Sequence, residues 1–281
     1  MKILLTGKDG FIGNSIYKWL ITQPHIVFAP THQEVDLTNL SQIITYLSDK
    51  KIDIIIHTAY ICGKRLKHTT ANDSINNLLM TENLLSICHK TNIRLINLGS
   101  GGEFDAEQDI HEAKEDEIFK IVPKNYDNFT KSLIAKRVLN ANDNHSHLRI
   151  WGIFGTSEDD NRFIKNTINS ILQHKNIIIH QNKWFDFIFI DDFIIILNAI
   201  INNPNLPKNI NCVYNKKYTL FSIALLIRTI ANSNTPIIVE NNKDGLGLNY
   251  TGSSSLLNNL SLPLVGLEQG IKKMYMELLC S

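Results

Sequence analysis

The sequence predicts an α/β fold, a doubly wound parallel sheet with helices on both faces, followed by a smaller C-terminal α/β lobe. Three observations predict it. The first twenty residues read as strand, glycine turn and helix, and further apolar strands then alternate with helical stretches. Ile52-Asp-Ile-Ile-Ile-His57 and Arg94-Leu-Ile-Asn-Leu-Gly-Ser100 are close to continuous apolar runs, the pattern of strands buried on both faces. Beyond residue 155 short strands and helices continue without a repeat, linker or disordered tail.

A chain of 281 residues can bury one large core or two modest ones. The expected division is one domain over 1–155, with 184–215 returning to it, and a smaller lobe from 156–183 and 216–281. The formal net charge of +1 gives no reason to expect nucleic acid or an anionic membrane as a partner, so any anionic ligand must be held by local features. Cys62, Cys88, Cys212 and Cys280 are scattered without a Cys-x-x-Cys pair. Neither a metal site nor a disulfide framework is expected, and a reducing compartment fits. No segment approaches the roughly 18 uninterrupted apolar residues of a spanning helix. The chain opens on a core strand and not on a charged leader, so the expected location is cytoplasmic.

The first element is Ile3-Leu-Leu5, broken by Thr6 and Gly7. Gly7, Gly10 and Gly13 then open an amphipathic stretch that runs through Phe11, Ile12, Ile16, Trp19 and Leu20. A pyrophosphate can lie against a helix N-terminus only if no side chain stands between it and the backbone N–H groups, and Gly13 lets the helix sit close to the sheet. Two residues separate Gly7 from Gly10, where the common dinucleotide fingerprint has one. Thr6-Gly-Lys-Asp-Gly-Phe-Ile-Gly13 resembles the TGxxGFIG signature of the extended short-chain dehydrogenase/reductase family, the nucleotide-sugar epimerases, dehydratases and reductases. The similarity can be followed over nearly the whole chain. It implies a Rossmann-type sheet, an NAD or NADP cofactor, a nucleotide-sugar substrate and a homodimer formed through two long helices around Leu84 and Leu133.

His25 to Ala29 reads as the second strand. Neither the acidic residue that takes the ribose hydroxyls of NAD nor the Arg that favours NADP follows it directly. His32 stands roughly where some NADP-using relatives carry Arg, and Lys8 adds a positive charge, a weak lean to NADP. Asp36-Leu37 resembles the family's pair whose carboxylate meets the adenine amino group; by itself such an Asp is an ordinary helix cap. Ser41 to Leu47 is helical in pattern. Thr58-Ala59-Tyr60 follows the third strand, where small residues leave space for a ligand and the family has its strand-Ala-Ala motif. The helix after it carries Asn77 and Asn83, expected to brace the sheet.

Ser100 lies just beyond the next strand. By position it matches the Ser/Thr that hydrogen-bonds the reacting oxygen in the family; a serine among glycines is otherwise a turn residue. Asp105 to Lys120 reads as an irregular charged loop. The family's Tyr-x-x-x-Lys, which puts phenol and ammonium one turn apart on a helix face, falls within Pro123 to Lys136. Lys131 matches, but Asp127 stands four residues before it. Tyr126 stands five before, about 140° further round a helix of 3.6 residues per turn. Three readings stand open. Tyr126 transfers the proton from just outside the helix; Asp127 does so; or the redox step is lost, with Tyr126 packing in a loop and Asp127 capping the helix. The last corresponds to a regulator or scaffold that binds a dinucleotide without turnover.

Ser146 to Gly155 resembles the family's R-x-x-N-x-Y-G strand, with Gly152 in the place of the Asn. Phe163 to Leu172 reads as a helix and Ile177 to His180 as a strand. Trp184 to Asp192 resembles R-D-F-x-x-V-D-D, with Phe185 where the family's diphosphate-clamping Arg stands. Asp191 and Asp192 are expected as helix caps, starting a helix over Phe193 to Ile201. Ile210 to Tyr214 and Pro236 to Glu240 read as strands, Thr219 to Ala231 and Leu267 to Leu279 as helices, and Gly245 to Ser255 as a loop of the substrate lobe.

Overall fold

The computed structural model describes residues 1–61, 69–141, 144–241 and 247–280. In chain order its elements are β1 (Lys2–Thr6), α1 (Phe11–Leu20), β2 (Ile26–Phe28), α2 (Leu40–Leu47), β3 (Ile54–His57), α3 (Ala71–Thr91) and β4 (Arg94–Ser100). After a short 3₁₀ turn at Gly101–Phe104 come β5 (Ile110–Ala113), a second 3₁₀ turn, α4 (Tyr126–Ala141), β6 (Ser146–Ile150), β7 (Ile153–Phe154), α5 (Phe163–Leu172) and β8 (Ile177–Ile179). The rest is β9 (Ile188–Phe189), α6 (Ile190–Asn202), β10 (Asn209–Cys212), α7 (Leu220–Ile230), β11 (Ile237–Val239), β12 (Tyr250–Gly252), α8 (Ser255–Asn259) and α9 (Gly266–Leu279).

The expected doubly wound sheet is present, six-stranded in the order β10-β6-β4-β3-β1-β2. β1 pairs in parallel with β2 on one side and β3 on the other, Ile3 opposite both Val27 and Ile54. The strand order reverses at β1, and ligands of open α/β sheets bind outside the carboxyl ends of strands at such a point. The glycine turn after β1 is therefore where the topology wants a ligand. One face of this sheet packs Leu4, Ile55 and Leu95 with Leu84, Leu85 and Cys88 of α3 and Ile134 and Val138 of α4. Burial pushes the Cys88 thiol up to about 12. Cys62 lies outside the described residues.

Two compact units divide the chain: 1–105 with 116–149 and 202–210, and 106–115 with 150–201 and 211–281. The expected division runs at 155 with 184–215 returning; the packing instead gives 106–115 and most of 184–215 to the second unit. Some expectations about elements differ from the structure for visible reasons. Asp105 to Lys120 is not irregular: Ile110–Ala113 forms β5, which pairs in parallel with β12. Ser146 to Gly155 is two strands, broken at Trp151-Gly152. Gly152 is packed so tightly that an added Cβ would lie 2.7 Å from the Asp186 carbonyl oxygen, which leaves no room for the family's Asn. The Gly245 to Ser255 stretch, partly outside the described residues, contains β12.

Asp191 and Asp192 lie in the first turn of α6, which starts at Ile190 and not at Phe193. The buried Asp192 carboxylate reaches across the second unit. It accepts the backbone N–H groups of Val265 and Gly266 at 2.8 and 2.9 Å, where α9 begins, and the Tyr214 hydroxyl. Asp192 thus serves a distant helix end. Asp192→Ala removes a buried charged acceptor shared by three donors and is expected to cost roughly 3 kcal/mol in urea unfolding. A loss below about 1 kcal/mol would mean that water replaces the carboxylate.

Candidate active site

Three devices at the carboxyl ends of β1, β3 and β4, all in the first unit, build the site. In the glycine turn, Gly7 has φ +75°, and a Cβ there would lie 2.7 Å from both the Ala59 nitrogen and Thr58 Oγ1. A Cβ at Gly13 would meet the Gly7 carbonyl oxygen at 2.0 Å, while one at Gly10 would meet only that same oxygen, at 3.6 Å. Two glycines thus close helix against strand and the third leaves open space. Gly10 caps α1 with extended backbone and no side-chain hydrogen bond, whereas Asn39, Thr70 and Thr219 cap α2, α3 and α7 with theirs. The first N–H groups of α1, at Phe11 and Ile12, are left to an anion, and this donor set fits a dinucleotide pyrophosphate.

The ends of β1 and β3 are cross-tied. Thr58 Oγ1 donates to the Thr6 carbonyl at 2.7 Å, and the Thr6 hydroxyl bonds Nδ1 of the buried His57 at 2.8 Å. Burial pushes the His57 imidazole down to about 4, so it is neutral at physiological pH. Asn77 holds both the N–H and the carbonyl of Ile61, at 2.7 and 2.8 Å, and Asn83 donates to the Leu37 carbonyl at 2.9 Å. The two asparagines brace the loops beyond β2 and β3 and not the strands themselves. Of the adenine-side candidates, Asp36 turns one carboxylate oxygen back on Thr38 N–H and Oγ1, Leu37 packs on the core and His32 is exposed.

At the end of β4, the Ser100 hydroxyl accepts from the Gly102 N–H at 3.2 Å, and Glu103 Oε1 accepts from the Ser100 N–H at 2.7 Å. Ser100 therefore is the turn residue that composition suggests, and it and Lys131 both border Gly102. A Cβ added to Gly102 would lie 3.5 Å from Ser100 Oγ, 3.6 Å from Lys131 Cδ and 2.9 Å from Asn128 Oδ1. Asp127 and Lys131 form an ion pair of 2.6 Å along α4, and Asp127 also accepts the Tyr60 hydroxyl at 2.8 Å. Tyr126 is the first residue of α4 and is 71% exposed. The structure thus brings together Ser100, Asp127, Lys131 and, through Asp127, Tyr60; it leaves Tyr126 and His32 on the surface.

Beneath Ser100 lies a buried charge cluster that the sequence reading missed. Glu103 accepts from Arg149 Nε at 2.7 Å and bonds His147 Nε2 at 2.9 Å, and all three side chains are buried. Burial by itself would raise the Glu103 carboxyl, but the charges of Arg149 and His147 and the hydrogen bonds from His147 and Ser100 outweigh it and hold the carboxyl at about 2. Asn97 bonds the other nitrogen of His147, and a Cβ at Gly99 would fall 2.1 Å from Glu103 Oε1 and 2.2 Å from His147 Nε2. A signal was available: His147 and Arg149 stand two apart on one strand, hence on one face, and two such donors call for an acid.

In the second unit, Phe185 lies in an aromatic group with Phe187 and Tyr250, ring centroids 4.6 and 4.9 Å away, and the Lys183 ammonium stands 5.2 Å over its ring. Burial pushes the Lys183 amine down. Among the described residues no group of three or more His, Cys, Asp or Glu could hold a metal ion, and no helix is long and apolar enough to cross a membrane.

A sheet of this order with a glycine turn at its switch point defines a dinucleotide-binding protein of the doubly wound class. The chain belongs to the NAD dependent epimerase/dehydratase family, which it matches over residues 3–215. It is 25% identical over 270 residues to the GDP-L-colitose synthase of Yersinia pseudotuberculosis, covering 86% of each chain. Among solved structures it is similar to a dTDP-4-dehydrorhamnose reductase from Clostridium acetobutylicum, with TM-score 0.81, 18% identity and 100% of each chain covered. It is also similar to a GDP-D-glycero-L-gluco-heptose synthase from Campylobacter jejuni determined in the presence of NADPH, with TM-score 0.80 and 18% identity over 100% of this chain and 98% of that one.

Proposed function

We propose that the protein is an NAD(P)-dependent oxidoreductase or epimerase acting on a nucleotide-activated sugar, in the making of a surface polysaccharide, and that it works in the cytoplasm as a homodimer. The observation that carries this reading is the convergence of Ser100 and Lys131 beside Gly102 in a chain of this family. Relatives matched over most of their length carry enzyme names, which favours catalysis over the rival reading of a regulator or scaffold without turnover.

Gly7, Gly10 and Gly13, with the N–H groups of Phe11 and Ile12, hold the pyrophosphate. Asp36 and Leu37 border the adenine, Thr58, Ala59 and Tyr60 line the cofactor, and Lys131 positions the nicotinamide ribose. Lys8 and His32 support a lean to NADP over NAD. The bound nicotinamide supplies hydride exchange with the sugar carbon. Ser100 hydrogen-bonds the sugar oxygen, oriented by Glu103 beneath it. Of the two sequence candidates for proton transfer, Asp127 is tied to Lys131 and Tyr126 is exposed, so Asp127 takes that role. Lys183 offers a cation beside the position where the family's diphosphate Arg is replaced by Phe185. For the homodimer, the support is exposed Ile75 and Leu79 on α3 and Phe129 on α4; Leu84 is buried in the core and cannot be part of that face.

The test is absorbance at 340 nm with purified protein, NADPH and a set of nucleotide-linked 4-keto sugars, alongside epimer formation from the saturated sugars. At least one sugar is expected to be turned over. Lys131→Met is expected to lower turnover about 100-fold or more, because it removes the group that orients the ribose. NADPH binding without turnover on any sugar returns the protein to the scaffold reading.

A further inference from the structure

We propose that Tyr60 is the proton-carrying phenol of this site and that Asp127 is the carboxylate it exchanges its proton with, an inference that rests on the nucleotide-sugar reading. Position 127, four residues before Lys131, holds a carboxylate and no phenol, and Tyr126 beside it is turned to solvent. A phenol reaches the same place from another element. The Tyr60 hydroxyl, from the loop after β3, donates to Asp127 Oδ1 at 2.8 Å, and Asp127 Oδ2 accepts from Lys131 Nζ at 2.6 Å. Lys131 Nζ in turn stands 5.3 Å from the centre of the Tyr60 ring. Phenol, carboxylate and ammonium thus form one connected group, and the Lys131 stem borders Gly102 as Ser100 does.

The backbone around Tyr60 is fixed on both sides. Thr58 is tied to Thr6, and Ile61 is held through both of its peptide groups by Asn77. Asp127 and Lys131 are one turn apart on a single face of α4. The group is therefore built from rigid parts, as proton transfer over hydrogen-bond distances requires.

The proton accounting closes. When a sugar alcohol is oxidised, its O–H proton passes to Tyr60 Oη as the phenol's own proton passes to Asp127 Oδ1. The sugar C–H electron pair leaves as hydride to the oxidised nicotinamide dinucleotide, and the C–O single bond becomes a carbonyl. Reduction runs the same transfers backwards from a protonated Asp127. Throughout, Asp127 stays bonded to the Lys131 ammonium, which keeps the carboxylate oriented.

The experiment compares the parent chain, Tyr60→Phe and the double variant Tyr60→Phe/Asp127→Tyr, with kcat from NADPH oxidation and NADPH affinity from its fluorescence. Tyr60→Phe is expected to lower kcat about 100-fold or more. NADPH affinity is expected to stay within about 3-fold, which also shows that the variant is folded. Adding Asp127→Tyr, which puts a phenol four residues before Lys131, is expected to restore kcat by about 10-fold or more, a rescue that a merely structural Tyr60 would not allow. A Tyr60→Phe enzyme within about 3-fold of the parent overturns the proposal, and so does a loss that lies equally in NADPH affinity. A parent chain that turns over no sugar overturns the nucleotide-sugar reading and this proposal with it.

Discussion

Gly13→Ala is expected to lower dinucleotide affinity on the order of 10- to 100-fold and to destabilise the protein by about 1 to 3 kcal/mol. The added methyl would stand 2.0 Å from the Gly7 carbonyl oxygen and 2.7 Å from Thr58 Oγ1, neither of which is the free end of a flexible side chain. Helix α1 must therefore move off the sheet, taking its N–H groups with it. Gly10→Ala separates the two effects. Its methyl would meet only the Gly7 oxygen at 3.6 Å, and its backbone, at φ −81° and ψ 162°, suits any residue. The expected result there is an unchanged melting temperature with weaker NADPH binding, because the methyl enters the space over the helix end. Thermal unfolding and NADPH fluorescence titration check both. Equal affinities in Gly13→Ala and the parent would show that α1 does not carry the pyrophosphate.

The second large effect is expected at Glu103. Glu103→Ala leaves the fully buried Arg149 guanidinium without its carboxylate, and breaking a buried pair from one side costs about 3 to 5 kcal/mol. Glu103→Gln keeps an oxygen for the Ser100 N–H and loses the charge, so part of the activity should survive in a less stable protein. The carboxyl has its pKa held down from 4.5 to about 2. A depressed carboxyl contributes stability in full above its unfolded pKa and loses it as pH falls through the folded value. On the order of 3 kcal/mol is therefore expected to vanish between about pH 4.5 and 2 in the parent. In Glu103→Gln that part of the pH dependence should be missing. Denaturant unfolding at pH 7 and at acid pH measures it, and parallel curves for the two proteins would show that the cluster does not titrate on unfolding.

Much of the first unit was legible in the sequence, because its signals are local. Apolar runs such as Ile52 to His57 have few alternatives to a buried strand, and the glycines at 7, 10 and 13 announce a tight turn, which Gly7 needs for its positive φ and Gly13 for the close approach of the Gly7 carbonyl. Lys131 and Ser100 could be singled out as candidates from position alone. The boundary between units was harder to read, since β5 pairs with β12 across some 140 residues and no periodicity in either segment encodes that partner. The site was legible as a set of positions and not as a set of bonds. Tyr60 could be placed near a ligand, but its hydroxyl's bond to Asp127, 67 residues away, depends on how β3 and α4 meet. Nothing in the sequence around Glu103 singles it out, because its partners, His147 and Arg149, lie more than 40 residues on.

The crowding around Gly99 carries a consequence for how this chain can change over generations. A side chain at 99 would overlap both Glu103 and His147, so no larger residue can be accepted there while those two stand. Glu103 in turn cannot leave first without stranding Arg149. Each residue makes its neighbour's replacement harmful, and a lineage carrying this cluster can abandon it only by passing through a less stable intermediate or by several simultaneous changes. The underside of Ser100 thereby acts as a historical ratchet, fixing one particular way of holding the end of β4.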